Sequence, residues 1–268
     1  MNNAAAITTI ARALENKPDI RALFLGGSYG VGLEDAYSDL DFIAVAADGP
    51  TDACASLWHE AVSQTGEIVL WWDRQVKPML INAVTAEWLR IDVQIVALAQ
   101  TTQLSQNSLK VLFDHDRIYD DLAPSLEASG PNRRRLQWQF EEFIRILGLL
   151  PLAMGRHEYI NAVTGAFHLR NLLIDLLIEE TSAPNRGGAL HLNRLITREQ
   201  RDLLESLPAL TPSPEAIMPA YLAYATAYLP RARRLAQRLG MEWPERFEEA
   251  MWARLKRELA IEPPCVAN

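Results

Sequence analysis

The chain has 268 residues, 49% of them hydrophobic and 22% charged, and a formal net charge of −8. Such a composition is that of a globular protein long enough for two modest domains, and the acidic balance argues against nucleic acid as the main partner, which would call for a basic excess. No charged leader followed by an apolar core opens the chain, and no apolar run reaches the ~20 residues that span a bilayer. Cys54 and Cys265 are far apart, with no CxxC or Cys/His cluster, so two free thiols and a cytoplasmic location are expected and zinc is not.

In chain order, Ile7, Ile10, Ala11 and Leu14 recur at helical spacing, and Asn2 or Asn3 supplies a cap. Lys17-Pro18-Asp19 breaks that pattern. A strand over residues 21–26, a Gly-rich turn and a second strand over 39–46 follow. A helix is expected from Thr51 or Asp52 to residue 65, then a strand over 67–72 and two more over 78–84 and 87–96. In the last of these, Leu89, Ile91, Val93 and Ile95 form one face, and Arg90, Asp92 and Gln94 the other. A short strand over 109–113 precedes a polar, turn-rich stretch over 114–131. Beyond it the strand pattern disappears. Helices are expected over 135–153, 159–180, 198–206, 214–239 and 244–259, with a loop at 184–188. The spacing predicts an α+β chain: a mixed sheet with flanking helices in residues 1–125, then an all-α helical bundle in residues 126–268.

The chemistry concentrates in one stretch. An apolar run enters Gly26-Gly27-Ser28-Tyr29-Gly30, whose glycines let the backbone turn tightly and approach a ligand. Ser38-Asp39-Leu40-Asp41 then leads into the second strand. With period two, Asp39 and Asp41 point to one face and repel unless a cation lies between them. An all-oxygen pair of this kind suits magnesium, which takes one or two carboxylates plus substrate phosphates. Asp92, in mid-strand on a polar face, is either the solvated face of an edge strand or a third carboxylate of the same site. The Gly-rich turn is not a P-loop, for no Gly-Lys-Ser/Thr follows, and it is not a dinucleotide fingerprint.

Gly-Gly-Ser followed after about ten residues by Asp-x-Asp, with a later strand carrying a third Asp, resembles the nucleotidyltransferase superfamily that includes polymerase β. The helical second half is similar in layout to the aminoglycoside and lincosamide nucleotidyltransferases. The resemblance covers residues 20–96 and implies two magnesium ions held by Asp39, Asp41 and Asp92. It also implies ATP or another NTP as donor, bound by Gly27, Ser28 and Ser38. The activity implied is transfer of AMP to a hydroxyl of a small molecule with release of pyrophosphate. Two dications about 3.5–4 Å apart neutralise the entering and leaving oxygens of such a transfer, and three carboxylates suffice to hold them. Backbone N–H groups in a Gly-rich turn form an anion nest for the phosphates.

Asp92 and Glu158 are both candidates for the general base, Glu158 also being favourable at a helix start for its dipole alone. Arg170, with His168 and Asn171, interrupts an apolar helix and either touches the nucleotide or acceptor or ties the domains together. Arg133-Arg134-Arg135 reads as a solvated helix start or as a contact to triphosphate, and Glu141 and Glu142 read as helix surface. Trp71, Trp72 and Trp88 read as core or as stacking platforms. The partner expected is a small-molecule acceptor of aminoglycoside or lincosamide type, with no nucleic acid and no membrane, the chain being a monomer or homodimer. The alternatives are a protein-nucleotidylating, antitoxin-like enzyme and a catalytically idle nucleotide-binding module.

Overall fold

The computed structural model describes residues 1–74, 76, 78–126, 131–181 and 191–263. The chain divides into two compact units, Met1–Ala128 and Ser129–Asn268. The first is α+β. Helix α1 (Asn3–Glu15) precedes strand β1 (Ile20–Leu25), a single helical turn α2 (Gly27–Gly30), strand β2 (Leu40–Ala46) and helix α3 (Asp52–Ser63). Strands β3 (Ile68–Asp73), β4 (Met79–Thr85), β5 (Arg90–Ala97) and β6 (Lys110–Asp114) follow, with 3-10 turns at Leu98–Gln103, Gln106–Ser108 and Ile118–Asp121. The six strands lie in the order β3-β4-β5-β2-β1-β6. The β2/β5 pair is parallel and the others are antiparallel.

Alternation sorts the strands onto two faces. Leu23 and Leu25 of β1, Leu40, Phe42 and Ala44 of β2, and Ile91, Val93 and Ile95 of β5 share a core with Ala6, Ile10 and Leu14 of α1 and Trp58, Ala61 and Val62 of α3. Phe42 meets the Trp58 ring edge-on, centroids 5.1 Å apart. Each of the leucine, isoleucine, valine and phenylalanine side chains stabilises the unit by about 1.5–3 kcal/mol relative to exposure. The caps agree with the sequence: Asn2 accepts from Ala5 N at 2.9 Å, and Thr51 from Cys54 N at 3.3 Å. Each cap adds about 1 kcal/mol. On the opposite face, Ala22, Phe24, Val45 and Val96 pack with Leu109, Ile118 and Leu122 of the 3-10 region. Asp41 and Asp92 belong to this second face.

The second unit is helical among its described residues: α4 (Arg133–Leu147), α5 (Leu150–Gly155), α6 (Tyr159–Thr181), α7 (Leu192–Leu195), α8 (Arg198–Ser206), α9 (Pro214–Arg238) and α10 (Glu245–Leu259). Phe140, Phe143 and Leu147 of α4 share its core with Leu169, Leu173 and Leu177 of α6 and with Tyr224 and Tyr228 of α9. Phe143 stacks on Tyr228 with centroids 3.7 Å apart. The single helix expected over 135–153 is two helices. Pro151 in the first turn of α5 lacks an N–H, and its ring would strike the carbonyl four residues back in a continuous helix. By contrast α9 runs through Pro219 and Pro230. Burial of Ile217, Tyr221, Tyr224, Tyr228 and Leu235 at about 1.5–3 kcal/mol each outweighs a cost of about 3 kcal/mol per interior proline. The turn α7 was not anticipated, and the loop expected at 184–188 lies outside the described residues, as does Cys265. Cys54 is a buried free thiol. Among the described residues no helix is long and apolar enough to cross a membrane.

Candidate active site

The parallel register of β2 and β5 sets Asp41 directly opposite Asp92. Asp39 lies one residue before β2, and an oxygen from each of Asp39, Asp41 and Asp92 falls within 4.8 Å of the others. All three side chains are half-buried. Burial and then the charges of Asp39 and Asp92 push the Asp41 carboxyl up to about 6, with Arg90 opposing. Asp92 is raised as well, chiefly by burial, against the hydrogen bond from Asn82 that lowers it. Arg90 sits 3.4 Å from Asp39 Oδ2 and donates to the Tyr37 carbonyl at 3.3 Å. Two guanidiniums, Arg90 and the more remote Arg74, beside three acids still leave a surplus of negative charge. The all-oxygen donor set and its mutual repulsion fit a hard dication such as magnesium.

The turn α2 lies against this cluster. Gly27 has φ +52, and a Cβ placed there would lie 1.9 Å from Asp41 Oδ2, so the carboxylate occupies the space a side chain would need. Gly30 is held as tightly, with 2.1 Å between an added Cβ and the Ser108 carbonyl oxygen. Gly26 N donates to the Asp41 carbonyl at 2.8 Å, which ties the turn to β2. The first amides of a helical turn have no partner within it. Ser28 Oγ is buried with no hydrogen-bond partner, a state that costs about 1–3 kcal/mol unless a ligand satisfies it.

Three further residues were expected at the site: Ser38 in the loop before β2, and Glu158 and Arg170 in the second unit. The Ser38 hydroxyl is engaged within its own loop: it accepts from Asp35 N at 3.0 Å and donates to Asp35 Oδ1 at 3.2 Å. Its carbonyl accepts from Asn3 Nδ2 at 2.9 Å. Glu158 and Arg170 belong to the helical unit. Glu158 is exposed, accepts from Asn161 Nδ2 at 3.0 Å, and lines a cavity of about 280 Å³ with Ile146, Leu149, Leu152 and Tyr221. Arg170 is half-buried on α6. Arg133 is not a free cation but a clamp, donating to the Leu239 and Gly240 carbonyls, each at 2.7 Å. Glu142 is not helix surface either: it is largely buried, binds Arg145 and accepts from His168 Nε2 at 3.1 Å. Of the tryptophans, Trp71 meets His59 edge-on, whereas Trp72 and Trp88 are exposed, Trp88 with φ 65.

Arg90, Asn82 and Arg74 escaped the sequence reading. Alternation puts Arg90 on the face of Asp92, which is a usable signal. The other two emerge only from the strand register.

No family model matches the chain, and no curated protein does. Among solved structures it is similar to an aminoglycoside 6-adenyltransferase from Bacillus subtilis, with 11% identity over 93% of this chain and 95% of that one and a TM-score of 0.46. It is also similar to a nucleotidyltransferase-like protein from Exiguobacterium sibiricum 255-15, with 15% identity over 96% and 88% and a TM-score of 0.38. A spectinomycin adenyltransferase from Enterococcus faecialis, solved with ATP and spectinomycin, gives 14% identity over 87% and 100% and a TM-score of 0.35.

Proposed function

We propose that the protein is a magnesium-dependent nucleotidyltransferase that moves AMP from ATP to a hydroxyl of a small molecule and releases pyrophosphate. The observation that carries this reading is the convergence of Asp39, Asp41 and Asp92 beside a Gly-rich turn with an unpartnered hydroxyl. Gly27 and Ser28 receive the outer phosphates, through backbone amides and Oγ. Asp39 and Asp41 would hold one magnesium ion, and Asp92 would join them at a second. Bound there, magnesium supplies charge neutralisation at the entering and leaving oxygens. Asp92 orients the acceptor hydroxyl and takes its proton, Glu158 being the competing base.

Acceptor binding falls to the helical unit, Ser129–Asn268, whose cavity offers an apolar wall with Arg156, Glu158, Asn161 and Tyr221. An aminoglycoside or lincosamide is the acceptor class to be tried first, by the resemblance of the helical half to enzymes of that kind; the cavity itself is mostly apolar and sets Glu158 beside Arg156. The test incubates the protein with labelled ATP, magnesium and a panel of these antibiotics. Label is expected on one of them, lost in Asp39→Ala. The reading fails if nothing is labelled and Asp39→Ala binds nucleotide as the wild type does. A Glu158→Gln variant assigns the base: loss of kcat with nucleotide binding kept makes Glu158 the base, and an unchanged kcat leaves the role to Asp92.

A further inference from the structure

One row of side chains crosses four strands on the face that carries the carboxylates. Trp72 of β3 stands opposite Asn82 of β4, Asn82 opposite Asp92 of β5, and Asp92 opposite Asp41 of β2. Directly opposed residues in a sheet have Cβ atoms about 4.5–5.5 Å apart, so each member of the row reaches the next. The links are specific. Arg74 Nε donates to Asn82 Oδ1 at 2.6 Å, and the guanidinium carbon lies 3.5 Å from the centroid of the Trp72 ring. A guanidinium has donors only, so this bond decides which end of the Asn82 amide is which. The oxygen faces Arg74, which leaves the amino group as the end available to Asp92, directly across the strand pair.

We propose that Asn82 is a positioning residue for the carboxylate cluster: clamped by Arg74 stacked on Trp72, it holds the Asp92 carboxylate in the orientation that faces Asp39 and Asp41. The proposal rests on reading those three carboxylates as metal ligands. Residues that orient a ligand in this way typically account for 10–100-fold in metal affinity. The row also predicts a sign. Arg74 is a cation near the cluster, so a purely electrostatic role would have its removal tighten metal binding. As part of a clamp, its removal weakens it.

The experiment titrates Mn²⁺ into the full chain with a non-hydrolysable ATP analogue present, reading bound metal by electron paramagnetic resonance. Wild-type binding, and its loss in Asp92→Asn, establish the metal site; if either is missing, that reading falls and takes the proposal with it. With the site established, Asn82→Ala and Arg74→Ala are each expected to weaken Mn²⁺ by about 10-fold. Trp72→Phe keeps the stacking face and binds as wild type, whereas Trp72→Ala follows Arg74→Ala. Arg74 and Trp72 are exposed, so their variants keep the fold, which circular dichroism verifies. Unchanged or tighter Mn²⁺ binding in Arg74→Ala overturns the proposal, even where Asn82→Ala fails to fold.

Discussion

Asp41 is where the site is in conflict with the fold. Its carboxyl titrates near 6 because it is buried and faces two other acids, against about 3.9 in an unfolded chain. The folded state therefore binds the proton more tightly. The resulting stability is full below about pH 4 and is lost as pH rises through about 6. Asp41→Asn removes the ionised form. Without metal, the variant is expected to be more stable than wild type at about pH 8 by about 1–2 kcal/mol, a figure already reduced for solvent screening. The difference should vanish at about pH 4, and calorimetry at the two pH values checks both. The same variant is expected to lose transferase activity, which would make Asp41 a residue kept at the expense of stability. Gly27→Ala acts on the same atom from the other side. Its methyl would claim the position of Asp41 Oδ2, and the left-handed backbone adds about 1–2 kcal/mol of strain. A carboxylate displaced by about 1 Å costs on the order of 100-fold in rate, so turnover should fall at least that far while circular dichroism stays native.

At the scale of elements, the helical unit depends on one buried acid. Glu248 of α10, its side chain 4% exposed, accepts from both Arg233 Nε at 3.2 Å and Trp243 Nε1 at 2.8 Å, and from Trp252 Nε1 at 3.1 Å. It joins α9, the connection after it and α10 through one carboxylate. Glu248→Ala leaves two indole N–H groups and a guanidinium without their acceptor, and is expected to cost about 3–5 kcal/mol in urea unfolding. Glu248→Gln keeps an acceptor oxygen and should cost less. Such a lock was not legible in the sequence, where Glu248 reads as one more charge on an amphipathic helix. The strands were legible because alternation survives in Asp41-Phe42-Ile43 and Ile91-Asp92-Val93. The break between α4 and α5 needed Pro151 to be weighed above the continuous apolar spacing. The three carboxylates were found because two share one short motif and the third stands out in mid-strand. Asn82 and Arg74 were not, because an asparagine and an arginine on neighbouring polar faces acquire meaning only once β4 is known to lie beside β5.

For the whole molecule, the two units each enclose their own core, one between the sheet and α1 and α3, the other among α4, α6 and α9. The net charge of −8 bears on solubility and on which ligands are drawn in, not on the fold. Separate cores imply separate cooperative transitions, since cooperativity follows the contacts that a unit buries. Calorimetry of the full chain is therefore expected to resolve two transitions. A ligand that binds only the folded form, at about 100 times its dissociation constant, adds about 2.7 kcal/mol to whatever it binds. Magnesium with a non-hydrolysable ATP analogue should move the transition of the unit that carries Asp39, Asp41 and Asp92. Asp92→Asn should cancel that shift, and the ATP analogue without magnesium should produce a smaller one. An acceptor bound in the helical cavity should move the other transition in the absence of nucleotide. If magnesium and nucleotide leave both transitions unmoved, the carboxylate cluster is not a nucleotide–metal site. If they move both equally, the donor half of the reaction is not confined to the first unit.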